Sequence, residues 1–303
     1  MLKTRVITAV VLLAVLLAAL FFLPSLGWAV FCALICALAA WEWGGLAGWG
    51  GKARVVYGIV LGCLCFALLY ILFQPFCASL QDGVLYQFVI TPRHLWWSIL
   101  WLSIFLLTGL FWLLAVPLWL WHKWRLHGWF AALIGILVLV PASMAFFALR
   151  EETEPFTEPF VLLLAVCALV WVADIAAYFS GRAFGGKKLA PNISPGKTWA
   201  GAFGAVIGVL VYCNVILWLV PNKLEMQHVL FFQPIFIVLA VWSIIGDLFE
   251  SLLKRQAGVK DSSNLLPGHG GILDRIDSLT STLALVVFIN SVVFLFSSSS
   301  LLK

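Results

Sequence analysis

Hydrophobic residues fall along this chain in long unbroken blocks separated by short polar stretches. The blocks run from Val6 to Leu23, Leu26 to Trp43, Val55 to Phe76, Leu95 to Trp121, Trp129 to Leu149, Phe160 to Ser180, Trp199 to Val220, Val229 to Glu250 and Leu279 to Phe296. Each is close to the ~20 apolar residues that a helix needs to cross a bilayer. None alternates with the two-residue period of a membrane barrel strand. The pattern predicts an all-α, polytopic integral membrane protein with about nine transmembrane helices. The first block follows Lys3 and Arg5 as a signal peptide would, but its apolar stretch is too long and Pro24 leads straight into a second block, so it reads as a span.

Charge gives this array a direction. With the N-terminus in the cytoplasm, the cytoplasmic segments hold Lys3, Arg5, Lys52, Arg54, Lys123, Arg125, Arg182, Lys187, Lys188, Lys197, Lys254, Arg255, Lys260 and Arg275. The other side holds only Arg93, Arg150, Lys223 and Lys303. That asymmetry follows the positive-inside rule, and a missed span would scramble it. The acidic run Glu151, Glu152, Glu154 and Glu158 then reads as a solvated outer loop. Trp96, Trp97 and Trp101 at one end of the fourth block, and Trp119, Trp121 and Trp124 at the other, read as interfacial anchors.

Composition agrees, with 64% of residues apolar and 10% charged. The net positive charge sits in the loops, where membrane topology accounts for it, and implies no nucleic-acid partner. The cysteines show neither CxxC nor Cys/His spacing, and Cys32, Cys36, Cys63, Cys65 and Cys167 lie inside apolar blocks, so they read as small core residues. Residues 1–149 form N-terminal spans with no nameable chemistry, whereas 150–303 carries polar cytoplasmic loops over 181–198 and 251–278.

Asp174 lies in an otherwise apolar block with Tyr178 one turn on. A carboxylate in hydrocarbon must face other helices, a partner or a water-filled cleft, and its place near the cytoplasmic end points to the cleft. The loop that follows nearly spells a P-loop from Gly181 to Lys188, but Lys188 stands where the hydroxyl belongs and a membrane helix precedes it, so that reading fails. What remains is a basic, Gly-containing loop with Ser194, Lys197 and Thr198 just before the next helix, a setting that favours anions.

The densest polar stretch is Gly246 to Asp277. Asp247 and Glu250 stand at one end and Asp274 and Asp277 at the other. Ser251 and Lys254 follow Asp247 on one helical stripe, and Asp274 and Asp277 share a face of the next helix. Between them Pro267-Gly268-His269-Gly270-Gly271 cannot be regular helix. Carboxylates from two elements at a bilayer surface, read without Cys or His partners, suit a hard cation such as Mg²⁺. The neighbouring Lys and Arg suit phosphate.

Ser251, Lys254-Arg255, Lys260-Asp261, Ser263, Leu266-Pro267, His269-Gly270-Gly271-Ile272 and Asp274-Arg275-Ile276-Asp277 together resemble the signature of phosphatidate cytidylyltransferases, the CDP-diacylglycerol synthases. Asp174 through Lys197 resembles a looser block of the same family, so the likeness covers about the last 130 residues. The resemblance implies transfer of CMP from CTP to phosphatidic acid with Mg²⁺, and a second cation such as K⁺. In that reading Asp247, Asp274 and Asp277 hold metal and, with Lys260, form the catalytic group. Asp174, Ser194, Lys197, Thr198, Ser251, Lys254, Arg255, His269, Gly270, Gly271 and Arg275 bind the substrates, the two glycines by letting main chain approach a phosphate. A bacterial inner membrane, with the site on its cytoplasmic face, is the expected location. A CTP-dependent lipid kinase or phosphotransferase and an ion-coupled transporter are the rival readings; the acids crowd helix ends and no repeat is visible, which disfavours the transporter. The small-residue stripe Gly201, Ala205, Gly208 would allow close helix packing within or between chains, and so a homodimer.

Overall fold

The computed structural model describes residues 2–81, 95–152, 160–219 and 226–301. Its helices are α1 (Leu2–Phe22), α2 (Ser25–Leu46), α3 (Gly51–Gln81), α4 (Leu95–Leu110), α5 (Val116–His122), α6 (Gly128–Glu151), α7 (Val161–Phe184), α8 (Trp199–Leu219), α9 (Met226–Gln256) and α10 (Leu273–Leu301). Among the described residues nine helices are long and apolar enough to cross a membrane, with α4 and α5 joined into one of them. The join is a π turn over Phe111–Ala115 directly before Pro117. Proline has no N–H to continue the ladder and crowds the preceding turn, and a widened turn absorbs both faults.

The helix ends differ from the expected blocks where it matters most. The span expected to stop at Glu250 continues to Gln256, and the one expected from Leu279 begins at Leu273. The loop expected over 251–278 is therefore only 257–272, and Asp274 and Asp277 ride on the first turns of α10. Within the loop expected over 181–198, β1 (Lys188–Ala190) pairs antiparallel with β2 (Ser194–Thr198) around Pro191-Asn192, residues that suit a tight turn. Gly185 and Gly186, at φ +58° and +86°, turn the chain from α7 into this hairpin. The order helix, glycines, strand is the reverse of a P-loop.

Helices α6 and α10 sit inside the bundle: α10 packs on α9, α6, α4 and α7, and α6 on α2, α3 and α10. Small groups make this possible. Ser278, Thr280, Ser281 and Thr282 are buried in the early turns of α10, with Thr280, Ser281 and Thr282 donating to nearby backbone carbonyls, so their hydroxyls are satisfied without bulk. A Cβ on Gly246 would lie 2.5 Å from Ser281 Oγ and 2.8 Å from the Asp277 carbonyl, so only glycine allows α9 and α10 this contact. The stripe Gly201, Ala205 and Gly208 is used inside the chain, against Ala176 and Ala177 of α7. It therefore offers no surface for a second copy.

Several single-residue expectations change. Trp119 is core, 2% exposed, because its indole Nε1 donates to the Trp124 carbonyl and its ring packs on Phe249. Trp121 and Trp124 are exposed as expected of anchors, while the side chains of Trp96 and Trp97 lie outside the described residues, as do Arg93 and Lys223. Cys32, Cys36, Cys65 and Cys167 are buried free thiols, but Cys63 is exposed. Glu151 is not solvated: it pairs with Arg150 at 2.6 Å and accepts from Ser25, while Glu154 and Glu158 lie outside the described residues.

Candidate functional site

The loops expected to be cytoplasmic meet at one end of the bundle. Thr8 of α1 donates to the Pro267 carbonyl, Gln256 to the carbonyls of Lys123 and Trp124, and Arg255 to the Ile193 carbonyl. These contacts tie α1, the α5–α6 turn, the hairpin and the 257–272 loop together on a common side.

At this end Asp247 of α9 pairs with Lys197 of β2 at 2.6 Å and accepts from Ser251 at 3.1 Å. Both members of the pair are about a quarter exposed, at 25% for Lys197 and 27% for Asp247, so the pair faces an opening. Asp277 of α10 lies within the field of Asp247 and of Lys197 and Lys254. Asp174 of α7 is exposed, and Asp247, Lys197 and Arg275 are its charged neighbours. Three helices and the hairpin thus bring Asp174, Lys197, Asp247, Arg275 and Asp277 into one electrostatic group. Gly246 is the residue that makes this possible, since it brings α9 against α10 beside two of the acids.

A second, buried network lies next to the first. Lys254 Nζ is 2.6 Å from Asp274 Oδ1 and 2.5 Å from Glu250 Oε2, with all three side chains largely buried. Asp274 Oδ2 accepts from the Ser262 amide at 2.8 Å, the Ser262 hydroxyl at 2.8 Å and the Gly271 amide at 2.7 Å. Both Asp274 oxygens are thus engaged, one by Lys254 and the other by the loop, so this carboxylate braces the loop against α9. Behind this network Phe249 is wedged among Trp43, Phe111, Trp112 and Trp119, which fixes the site end of α9.

The glycine turn is built closely against these carboxylates. Leu266-Pro267-Gly268-His269 closes a tight turn, His269 N–H to Leu266 carbonyl at 2.9 Å, with Gly268 at φ +77°. A Cβ on Gly270 would lie 2.5 Å from Asp274 Oδ2, and one on Gly271 would run into Ser262 Oγ and Glu42 Oε1. In this structure these glycines let main chain approach carboxylates. Thr198 is buried and its hydroxyl accepts the Gly201 amide at 3.1 Å, so it caps α8 instead of facing the opening. Ser194 is half-buried in β2. Lys260 is exposed and makes no side-chain hydrogen bond or ion pair among the described residues, and the buried Nδ1 of His269 has no hydrogen-bond partner there.

Among the described residues no three His, Cys, Asp or Glu side chains gather as a metal ligand set. The fit of a cation rests on Asp247 and Asp277, two carboxylates of adjacent helices that feel each other's field. Mg²⁺ is typically held by one or two carboxylates with water and substrate phosphate completing the shell, so this donor set fits it.

The N-terminal half supplies a residue that motif reading passed over. Glu42 of α2 is fully buried and accepts from Ser262, Ser263 and the amides of Ile272 and Leu273. The signal was available, because a lone carboxylate in an apolar block is as costly at Glu42 as at Asp174.

Residues 3–293 match the family model of the cytidylyltransferase family. A Pseudomonas aeruginosa protein named phosphatidate cytidylyltransferase is 39% identical over 285 residues, covering 93% of this chain and 94% of that protein. One of the same name from Haemophilus influenzae is 37% identical over 287 residues, covering 93% and 96%. A third, from Brucella suis, is 42% identical over 174 residues, 55% of this chain and 58% of that protein.

Proposed function

The chain belongs to the cytidylyltransferase family, and on that premise we propose that it transfers the CMP moiety of CTP to phosphatidic acid, releasing pyrophosphate and leaving CDP-diacylglycerol in the membrane. The observation that carries this reading is the junction of Lys197, Asp247 and Asp277 at one end of an apolar bundle. A soluble nucleotide and a lipid headgroup can both reach such a place.

A phosphate monoester has a second pKa of ~6, so the phosphatidate oxygen is already nucleophilic at neutral pH and needs no general base. That oxygen forms a bond to the α-phosphorus of CTP as the bond from this phosphorus to the bridging oxygen of pyrophosphate breaks. The difficulty is the meeting of several anions. Lys197 and Arg275, in the electrostatic group with the acids, and the exposed Lys260 and Arg255 would meet the phosphates of the two substrates. Asp247 and Asp277 would hold Mg²⁺, which supplies charge neutralisation at the reacting phosphates. The Asp274–Lys254–Glu250 network keeps the helix ends that carry these groups in register.

Because CTP is a cytosolic nucleotide, the site would face the cytoplasm, with the N-terminus on the same side, in the inner membrane of a bacterium. The test uses CTP labelled at the α-phosphorus, offered to the purified protein with phosphatidic acid and Mg²⁺. Label should enter the lipid as pyrophosphate appears. Lipid labelled only from γ-labelled CTP would identify a kinase and overturn the proposal.

A further inference from the structure

We propose that Glu42 is a positioning residue of the active site, an acid of the N-terminal half that holds the 257–272 loop and the start of α10 in their working arrangement. The inference rests on the reading of the site given above. Glu42 ends the apolar run of α2, and its carboxylate is fully buried. Among the described residues no Lys, Arg or His pairs with it. Its charge is met by hydrogen-bond donors alone: Ser263 Oγ at 2.6 Å and the Ile272 amide at 2.9 Å on Oε1, and the Leu273 amide at 2.6 Å and Ser262 Oγ at 3.1 Å on Oε2. Ile272 and Leu273 open α10, so Glu42 acts as the anionic cap of that helix from a position 230 residues away.

What makes this more than a staple is the next link. Ser262 Oγ touches Glu42 at 3.1 Å and Asp274 at 2.8 Å, and its single proton can serve only one of them at a time. The loop is clamped between two carboxylates, one on α2 and one on α10, and Gly271 is the close contact that lets both approach. Asp274 in turn holds Lys254, and one turn later on the same helix stands Asp277. A shift of the loop away from α2 therefore moves the start of α10, and with it Asp277 and Arg275, which face the substrates.

The experiment compares Glu42→Gln with the wild type in detergent with CTP, phosphatidic acid and Mg²⁺, measuring kcat per folded molecule, KM for CTP and the thermal midpoint. Gln keeps the shape but turns one acceptor into an NH₂ facing donors. The expected result is a kcat lower by roughly 10- to 100-fold with KM for CTP changed less than about threefold, the signature of misplaced reacting groups. A kcat per folded molecule within about twofold of wild type, or a change confined to KM, would overturn the proposal. Should Glu42→Gln not fold, Ser263→Ala decides: it removes one donor, and kcat should fall about 3- to 10-fold, whereas an unchanged kcat overturns it. An inactive wild type would instead defeat the functional reading itself.

Discussion

Asp247 keeps its side chain 27% exposed and holds one partner on each oxygen, whereas Asp274 is 3% exposed and meets four donors. A partly exposed pair such as Lys197–Asp247 is screened more than a buried one, so its rearrangement around an incoming phosphate or cation is cheaper. Removing one member of a buried, hydrogen-bonded pair costs about 3–5 kcal/mol, because the other charge is left behind. Two predictions follow from that difference. Asp274→Asn should lower the thermal midpoint in detergent without any substrate present, as expected of a strut facing Lys254. Asp247→Asn should leave the midpoint near that of the wild type while turnover of CTP falls roughly 100- to 1000-fold. Equal melting losses in the two variants would contradict the division into strut and ligand.

At the scale of elements, the contact of α9 with α10 sets the spacing of Asp247 and Asp277. Gly246→Ala would place a methyl 2.8 Å from a backbone carbonyl, which cannot rotate away as a side chain can. The helices must part, at a cost of about 1–3 kcal/mol. The prediction is a variant that still folds but loses at least about tenfold in kcat, since reacting groups tolerate little misplacement; wild-type turnover would show that the two helices need not touch. This contact was invisible in the sequence, where Gly246 is one small residue in an apolar run. The spans themselves were legible, because hydrocarbon thickness fixes helix length and every block answers to it. Their ends near the site were not, because polar residues from Ser251 to Gln256 and from Asp274 to Ser278 continue helices that hydropathy alone would stop. The hairpin over Lys188–Thr198 was hidden for a related reason: two short strands in a basic loop leave no periodicity to read.

Across the whole molecule, the residues of the site come from both halves of the chain, and the polar ends of alternate helices converge. The signature between Ser251 and Asp277 marked where the chemistry lies, yet it could not say which carboxylate is open and which is a strut, because that depends on Ser262, Gly271 and Lys254 closing on Asp274 in space. Glu42 was legible in principle as an acid in hydrocarbon, but its partners lie 220 to 231 residues away. The same convergence yields a test of topology. Lys52, Lys123, Lys188 and Lys260 are exposed at the turns of one side, while Arg150 and Glu151 bind the α1–α2 turn at the other, through the carbonyls of Leu20 and Leu23 and the hydroxyl of Ser25. In a background with all seven native cysteines replaced, single cysteines at positions 52, 123, 188 and 260 should react with a membrane-impermeant maleimide from the cytoplasmic face and be protected from the opposite one. A cysteine at position 152 should show the reverse. Mixed accessibility among the four would break the convergence on which the site is built, whereas uniform labelling from the outer face would keep the bundle and place CTP on the wrong side of it.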